Sequence, residues 1–359
     1  MSGILHRYRT LLNLPAEVTP VTLHEGNTPL IPAERIARCL GVPGVEVYLK
    51  YEGLNPTGSF KDRGMTYAVT MAKHRKAPYV LCASTGNTSA SASAYAARAG
   101  LQSLIIIPQG KIAMGKLSQA LMYGAQIVEI EGNFDQALTL VRQLGEASDQ
   151  LEIVNSINPY RIEGQTSGAY EVCEQLGTPQ APVAPNLFFI PVGNAGNITA
   201  YWRGFKRFKD AGHISHLPTM MGYQAEGANP IVRNAVVEHP ETVATAIRIG
   251  NPASWQGATD ARDESGGHID HVSDEHILSA YHCLASHEGV FCEPASAASV
   301  AGLFKAAAEG RIPPNSKVVC ILTGNGLKDP DTAVSVGSKD IRRVTLPADA
   351  EKVASFFKL

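Results

Sequence analysis

The chain reads as an α/β protein made of two parallel-sheet, doubly wound domains. Two observations lead there. Strand-like and helix-like stretches alternate along most of the length, and a proline-rich tract divides the alternation in two. The 359 residues, 44% of them hydrophobic, suffice for two packed domains with a buried cleft between them.

Residues 78–83 (PYVLCA) make an apolar run of strand length, and 88–98 (TSASASAYAAR) a helix of small residues suited to close packing on a sheet. A strand over 103–107, a helix over 113–123, a strand over 126–130, a helix over 134–146 and a strand over 152–155 come next. That is βαβ repetition, which predicts a parallel sheet with helices on both faces. A long helical stretch covers 161–176, and the tract GTPQAPVAPN then interrupts the pattern. A new strand, Leu187–Val192, restarts it, and it continues through Val318–Leu322. The predicted division is a smaller domain, 51–155, and a larger one made of 1–50 plus 156–359. The first fifty residues fit neither pattern well.

Composition excludes several classes. The net charge is −2 with no basic stripe, which argues against nucleic acid and anionic membrane as partners. The longest apolar runs, such as Leu104–Ile107, are far shorter than a membrane span. The opening MSGILHRYRT does not read as a signal peptide, and the expected location is the cytoplasm. Six cysteines occur, none in a CxxC pair, so reduced core thiols are expected rather than disulfides or a metal site.

The most informative segment is NPTGSFKDRG, residues 55–64. Ser59 and Asp62 are spaced as a capping pair, which predicts a helix starting here and running through Met65–Ala72. Lys61 then sits in the first turn, where amide donors are unsatisfied and the helix dipole is positive. That position disfavours an ammonium and favours the neutral amine needed to form an imine or move protons. On spacing alone, a solvated surface lysine beside Asp62 and Arg63 reads equally well.

Three strand–loop–helix junctions accompany it. Leu187–Val192 runs into Gly193-Asn194-Ala195-Gly196-Asn197 ahead of a helix, a glycine-rich turn suited to an anion. Ser84-Thr85-Gly86-Asn87-Thr88 leaves one strand and opens another helix, where Asn87 or Thr88 can serve as cap. Thr323-Gly324-Asn325-Gly326 comes after the last clear strand, and ligands of open α/β sheets gather at such ends. Each junction also reads as a plain tight turn.

NPTGSFKDRG resembles the cofactor-lysine motif of the fold-type II pyridoxal-phosphate enzymes, the tryptophan synthase β-like superfamily, and its wording is most similar to the threonine synthases. GNAGN, GNTPL at 26–30, Asn155-Ser156 with Arg161, and AIRIGNPASW at 246–255 extend the resemblance over about residues 24–332. It implies pyridoxal 5'-phosphate in the cleft, joined to Lys61 as a Schiff base. Asn87 would meet the phenolic oxygen, Gly193, Asn194, Ala195, Gly196 and Asn197 the phosphate, and the Thr323 hydroxyl the ring nitrogen. Ser84, Thr85 and Thr88 would surround the substrate carboxylate.

The implied reaction converts O-phospho-L-homoserine and water to L-threonine and phosphate by γ-elimination and β-addition of water. Arg161 would hold the γ-phosphate, with Asn155, Ser156 and Lys116 as further donors. A threonine or serine dehydratase, needing no second phosphate site, is the alternative, and a catalytically silent cofactor-binding protein a third reading. The resemblance also implies a homodimer.

Overall fold

The computed structural model describes residues 3–109, 114–132, 134–337 and 344–359. Among them, strands form two sheets. The larger joins β1 (Leu30–Pro32), β2 (Glu46–Tyr51), β7 (Leu187–Pro191), β8 (Thr219–Ala225), β9 (His268–Val272) and β10 (Lys317–Leu322) in the order β1-β2-β10-β7-β8-β9. The smaller joins β3 (Tyr79–Ala83), β4 (Gln102–Pro108), β5 (Gln126–Ile130) and β6 (Leu151–Ile153) in the order β5-β4-β3-β6. All pairings are parallel except β1 against β2, an antiparallel edge that the first fifty residues did not advertise.

Both faces of each sheet are covered, which is why the strands read as unbroken apolar runs. In β10, Val318, Cys320 and Leu322 enter one core and Val319 and Ile321 another. In β3, Val80 and Cys82 face one cluster, Leu81 and Ala83 the opposite one. Six helices position the functional side chains or the residues that brace them: α1 (Lys61–His74), α2 (Asn87–Ala99), α3 (Pro159–Gln165), α4 (Ser167–Leu176), α5 (Gly196–Asp210) and α6 (Pro294–Ala308). The stretch 161–176 is thus two helices, broken at Thr166. The small residues of α2 do let it lie flat: Ala90, Ala92, Ala94 and Ala96 are all buried.

The helix at Lys61 begins as expected, but not by the expected device. No side chain caps α1. The Asp62 carboxylate instead accepts from the Thr57 amide (2.7 Å), the Thr57 hydroxyl (2.6 Å) and the Ser91 hydroxyl (2.6 Å), which pins the preceding loop to α2. The cysteines are free; Cys82, Cys173, Cys292 and Cys320 are buried, whereas Cys39 is exposed.

Behind Lys61 lies a cluster of four charges, each at most 1% exposed. Arg63 donates from Nε and Nη2 to both oxygens of Glu52 (2.6 and 2.8 Å), and from Nη1 and Nη2 to both oxygens of Glu171 (3.0 and 2.6 Å). Lys50 donates to Glu171 (3.0 Å), to the Thr28 carbonyl and to Gln175. The Asn27 amide also donates to Glu171 (2.7 Å), and Asn55 donates to Glu52 (2.9 Å). The set is electrically neutral and joins β2, α1, α4 and the N-terminal segment.

Removing one member leaves the others charged and uncompensated. Glu171→Gln is expected to destabilise the protein by about 3–5 kcal/mol, the usual result of breaking a buried pair. A urea denaturation curve with an unmoved midpoint would contradict this.

Candidate active site

The ends of the strands surround one cavity of about 410 Å³. Its lining includes Lys61, Ser84, Thr85, Asn87, Thr88, Asn155, Ser156, Arg161, Gly193 to Asn197 and Thr323. The segments singled out in the sequence therefore converge on one site. The side chain of Lys116 lies outside the described residues. The lining also holds Glu293, Lys328, Gln165 and the stretch Thr245–Ile249, to which sequence reasoning assigned no role.

Lys61 and Arg161 face the same cavity because α1 and α3 cross at glycines. A Cβ on Gly64 would lie 2.5 Å from the Arg161 carbonyl oxygen, and one on Gly164 would collide with the Arg63 carbonyl. Burial, with the Arg161 charge nearby, pushes the Lys61 amine down to about 7, against a smaller opposing pull from Glu293. Its amine rests over the Phe60 ring at 4.2 Å and makes no ion pair among the described residues.

Arg161 is 2% exposed. Its Nη1 donates to the Val154 carbonyl (2.9 Å), and its Nε has no hydrogen-bond partner among the described residues. The nearby glutamate that could have claimed it, Glu163, pairs with Arg207 instead. Burial pulls Arg161 down to about 10. A buried guanidinium without a carboxylate is costly, and an anion in the cavity would offset that cost.

The glycine-rich turn is built as an anion cradle. Ala195 precedes α5 with φ at +63°, and no side chain caps the helix. A Cβ on Gly193 would come within 2.8 Å of the Ile247 Cα, so the turn runs flush against that backbone. Above Gly196 the nearest atom would be 3.4 Å away, which leaves room on the cavity side. Asn197 donates to Gln165 (3.2 Å), and its Oδ1 is buried without a partner.

The remaining groups differ in how free they are. Asn155 bonds both backbone groups of Ala83, each at 3.0 Å, so it tethers β3 and keeps one amide hydrogen. Ser156 accepts from Asn194 (2.7 Å), which leaves its own hydrogen to donate. Neither Asn87 nor Thr88 caps α2, whose first turn begins after an uncapped Gly86. Asn87 donates to the Glu293 carboxyl (3.1 Å), and Thr323 lies 3.1 Å from the same group. Among the described residues, the charged ones lining the cavity are basic at Lys61, Arg161, Arg248 and Lys328 and acidic at Glu293 alone.

The family model described as pyridoxal-phosphate dependent enzyme matches residues 21–324. The threonine synthase of Halalkalibacterium halodurans is 56% identical over 99% of this chain and 97% of its own length. That of Methanocaldococcus jannaschii is 48% identical over 94% of this chain and 83% of its own. The chain belongs to the threonine synthase family of pyridoxal-phosphate dependent enzymes.

Solved structures agree in fold. Threonine deaminase isoform 2 from Solanum lycopersicum superposes with a TM-score of 0.73 at 21% identity, covering 94% of this chain and 90% of that one. Maize serine racemase gives 0.72 at 18% identity, covering 95% and 100%. Pyridoxal phosphate is the family's cofactor, and the site fits it. A lysine poised to be neutral and an uncapped, glycine-lined helix start open on one cavity.

The depressed Lys61 has a measurable consequence. Below about pH 7 the ammonium prevails and above it the free amine, so labelling of apoprotein Lys61 by trinitrobenzenesulfonate should rise through about pH 7. In Arg161→Met the midpoint should move upward, because loss of a neighbouring positive charge favours the ammonium. A midpoint near that of ordinary lysines would refute the shift.

Proposed function

We propose that the chain converts O-phospho-L-homoserine and water to L-threonine and phosphate, and that Arg161 anchors the phosphate that leaves. The observation that carries this reading is the buried guanidinium of Arg161, which lines the cavity and has no carboxylate partner among the described residues. A substrate bearing only a hydroxyl in that position would leave it unmatched, which disfavours a dehydratase.

The roles derive from chemistry and position. The Gly193–Asn197 turn holds the cofactor phosphate through backbone amides and the α5 dipole. Bound pyridoxal phosphate supplies an aldehyde for the Lys61 amine and an electron sink for the substrate's Cα. Asn87 and Thr323 fix its ring edge. Thr85 and Thr88, whose hydroxyls make no hydrogen bond among the described residues, bind the substrate carboxylate together with Ser84 at the start of α2. Lys61, with a neutral amine available near pH 7, removes the proton from Cα and then works at Cβ. Arg161 stabilises the departing phosphate, assisted by the Ser156 hydroxyl and the remaining amide hydrogen of Asn155. The proton taken from Cβ passes to the carbon that carried the phosphate, water gives its hydroxyl to Cβ while its remaining proton leaves with the phosphate, and Lys61 returns a proton to Cα. Lys116 is a further cation proposed for the phosphate.

The working form we propose is a cytoplasmic homodimer without nucleic-acid, membrane or metal partners. Free thiols suit a reducing compartment. The domain boundaries proposed from the sequence, 51–155 against the rest, are supported by the smaller sheet falling wholly within 79–153.

Two variants test the assignment. Lys61→Ala should lose turnover and the visible absorbance of the holoenzyme while keeping its fold, and wild-type turnover would refute the role. Arg161→Ala should lose roughly 100- to 1000-fold in turnover, the scale of deleting one charge-stabilising donor, with cofactor absorbance unchanged. Inorganic phosphate should inhibit the parent far more than this variant. Full activity in Arg161→Ala, or loss of cofactor in step with activity, would remove the anchor.

A further inference from the structure

Glu293, the one acidic residue lining the cavity among the described residues, has no part in the steps assigned to Lys61 and Arg161. Glu293 is 5% exposed and ends the segment leading into α6. It makes no ion pair among the described residues; its partners are the Asn87 amide and the Thr323 hydroxyl. A Cβ on Gly324 would lie 2.5 Å from its Oε1, so the backbone presses the carboxyl in place. Asn87 and Thr323 are the two residues proposed to face the cofactor ring.

Counting donors shows what this arrangement can do. The Ser296 hydroxyl accepts from the Gly324 amide (3.0 Å). Its own hydrogen has two acceptors within reach, the Thr323 oxygen at 2.9 Å and the Gly324 carbonyl at 3.4 Å. With Glu293 ionised, Thr323 donates to the carboxylate and accepts from Ser296. Its remaining lone pair then faces the cavity and can accept a hydrogen bond. With Glu293 protonated, the acid donates to Thr323, whose second lone pair still accepts from Ser296 (2.9 Å), and the Thr323 hydrogen points into the cavity. Because a hydroxyl accepts twice while donating once, the exchange needs only the Thr323 and Glu293 hydrogens to move.

We propose that Glu293 is a positioning residue that, through the Thr323 hydroxyl, shares one proton with the ring nitrogen of pyridoxal phosphate. In one state the proton is on the carboxyl, Thr323 donates to a neutral ring nitrogen, and the pair carries no charge. In the other, the carboxyl proton has passed to the Thr323 oxygen and the threonine proton to the ring nitrogen, which leaves a carboxylate and a pyridinium. No atom is gained or lost. The protonated ring is the stronger electron sink, so Thr323 is more than a neutral hydroxyl. Burial pushes the Glu293 carboxyl up toward the protonated acid, while the hydrogen bonds from Asn87 and Thr323 and the charges of Lys61 and Lys328 oppose it. The inference rests on the proposed placement of the ring nitrogen at Thr323.

The test is the 15N signal of holoenzyme reconstituted with ring-labelled cofactor, which separates pyridine from pyridinium. Parent enzyme should show protonated character. In Glu293→Gln the side-chain oxygen must serve Asn87, so its amide donates to Thr323 and the relay proton is absent. The signal should move to the neutral position, as it should in Thr323→Val. Ser296→Ala, a milder change for use should Glu293→Gln not fold, should shift it the same way by a smaller amount. A signal that moves in Thr323→Val but in neither Glu293→Gln nor Ser296→Ala overturns the relay and leaves the ring placement standing. A signal that moves in none of them overturns the placement as well. A neutral signal already in the parent, unchanged in Glu293→Gln, also overturns the relay.

Discussion

The four buried charges of Lys50, Glu52, Arg63 and Glu171 are the constraint on which the rest of the molecule depends. None of them lines the cavity, but Arg63 stands in α1, whose Lys61 does, and the cluster ties that helix to β2 and α4. Arg63 stands two residues after Lys61, and its guanidinium is held bidentately by two carboxylates. That fixes the start of α1 against β2 and α4 more tightly than apolar packing would, because each hydrogen bond has a required direction. The cluster is neutral only when complete, so a conformation that separates any of the elements leaves an unpaired charge in a dry interior.

Much of the architecture was legible in the chain. Doubly covered strands announce themselves as unbroken apolar runs, so β3, β4, β7 and β10 could be placed closely. The glycine-rich turn after β7 and the lysine at the head of α1 were visible because loop chemistry is local. What escaped depends partly on partners distant in sequence. Glu293 meets Asn87 across 206 residues and Thr323 across 30, and nothing in its own neighbourhood signals that. Asp62 looked like a cap because Ser59 precedes it at the right spacing, but Ser91 and Thr57 compete for it. The antiparallel β1 is three residues long, too short to show alternation.

The site also shows how unfavourable features are held in place by what surrounds them. Ala195 keeps a left-handed backbone that glycine would adopt more easily, Arg161 lacks a counter-charge, and Lys61 is driven toward neutrality. Each is unfavourable taken alone, and in the reading proposed above a phosphate beside Arg161 and an imine at Lys61 would relieve two of them. Close glycine contacts, Gly64 against Arg161 and Gly193 against Ile247, prevent relaxation by the obvious route of drawing the elements apart.

The pairing of β2 with both β1 and β10 bears on how the molecule is made. Residues 46–51 lie beside 317–322, with some 265 residues of chain between them. During synthesis the smaller sheet can close as soon as residue 153 has emerged, whereas β2 has only its short hairpin partner until nearly the whole chain is available. Lys61 is therefore translated long before β2 gains its second neighbour. The Arg161 and Glu293 charges that act on its amine both belong to chain made after it, Glu293 only shortly before β10.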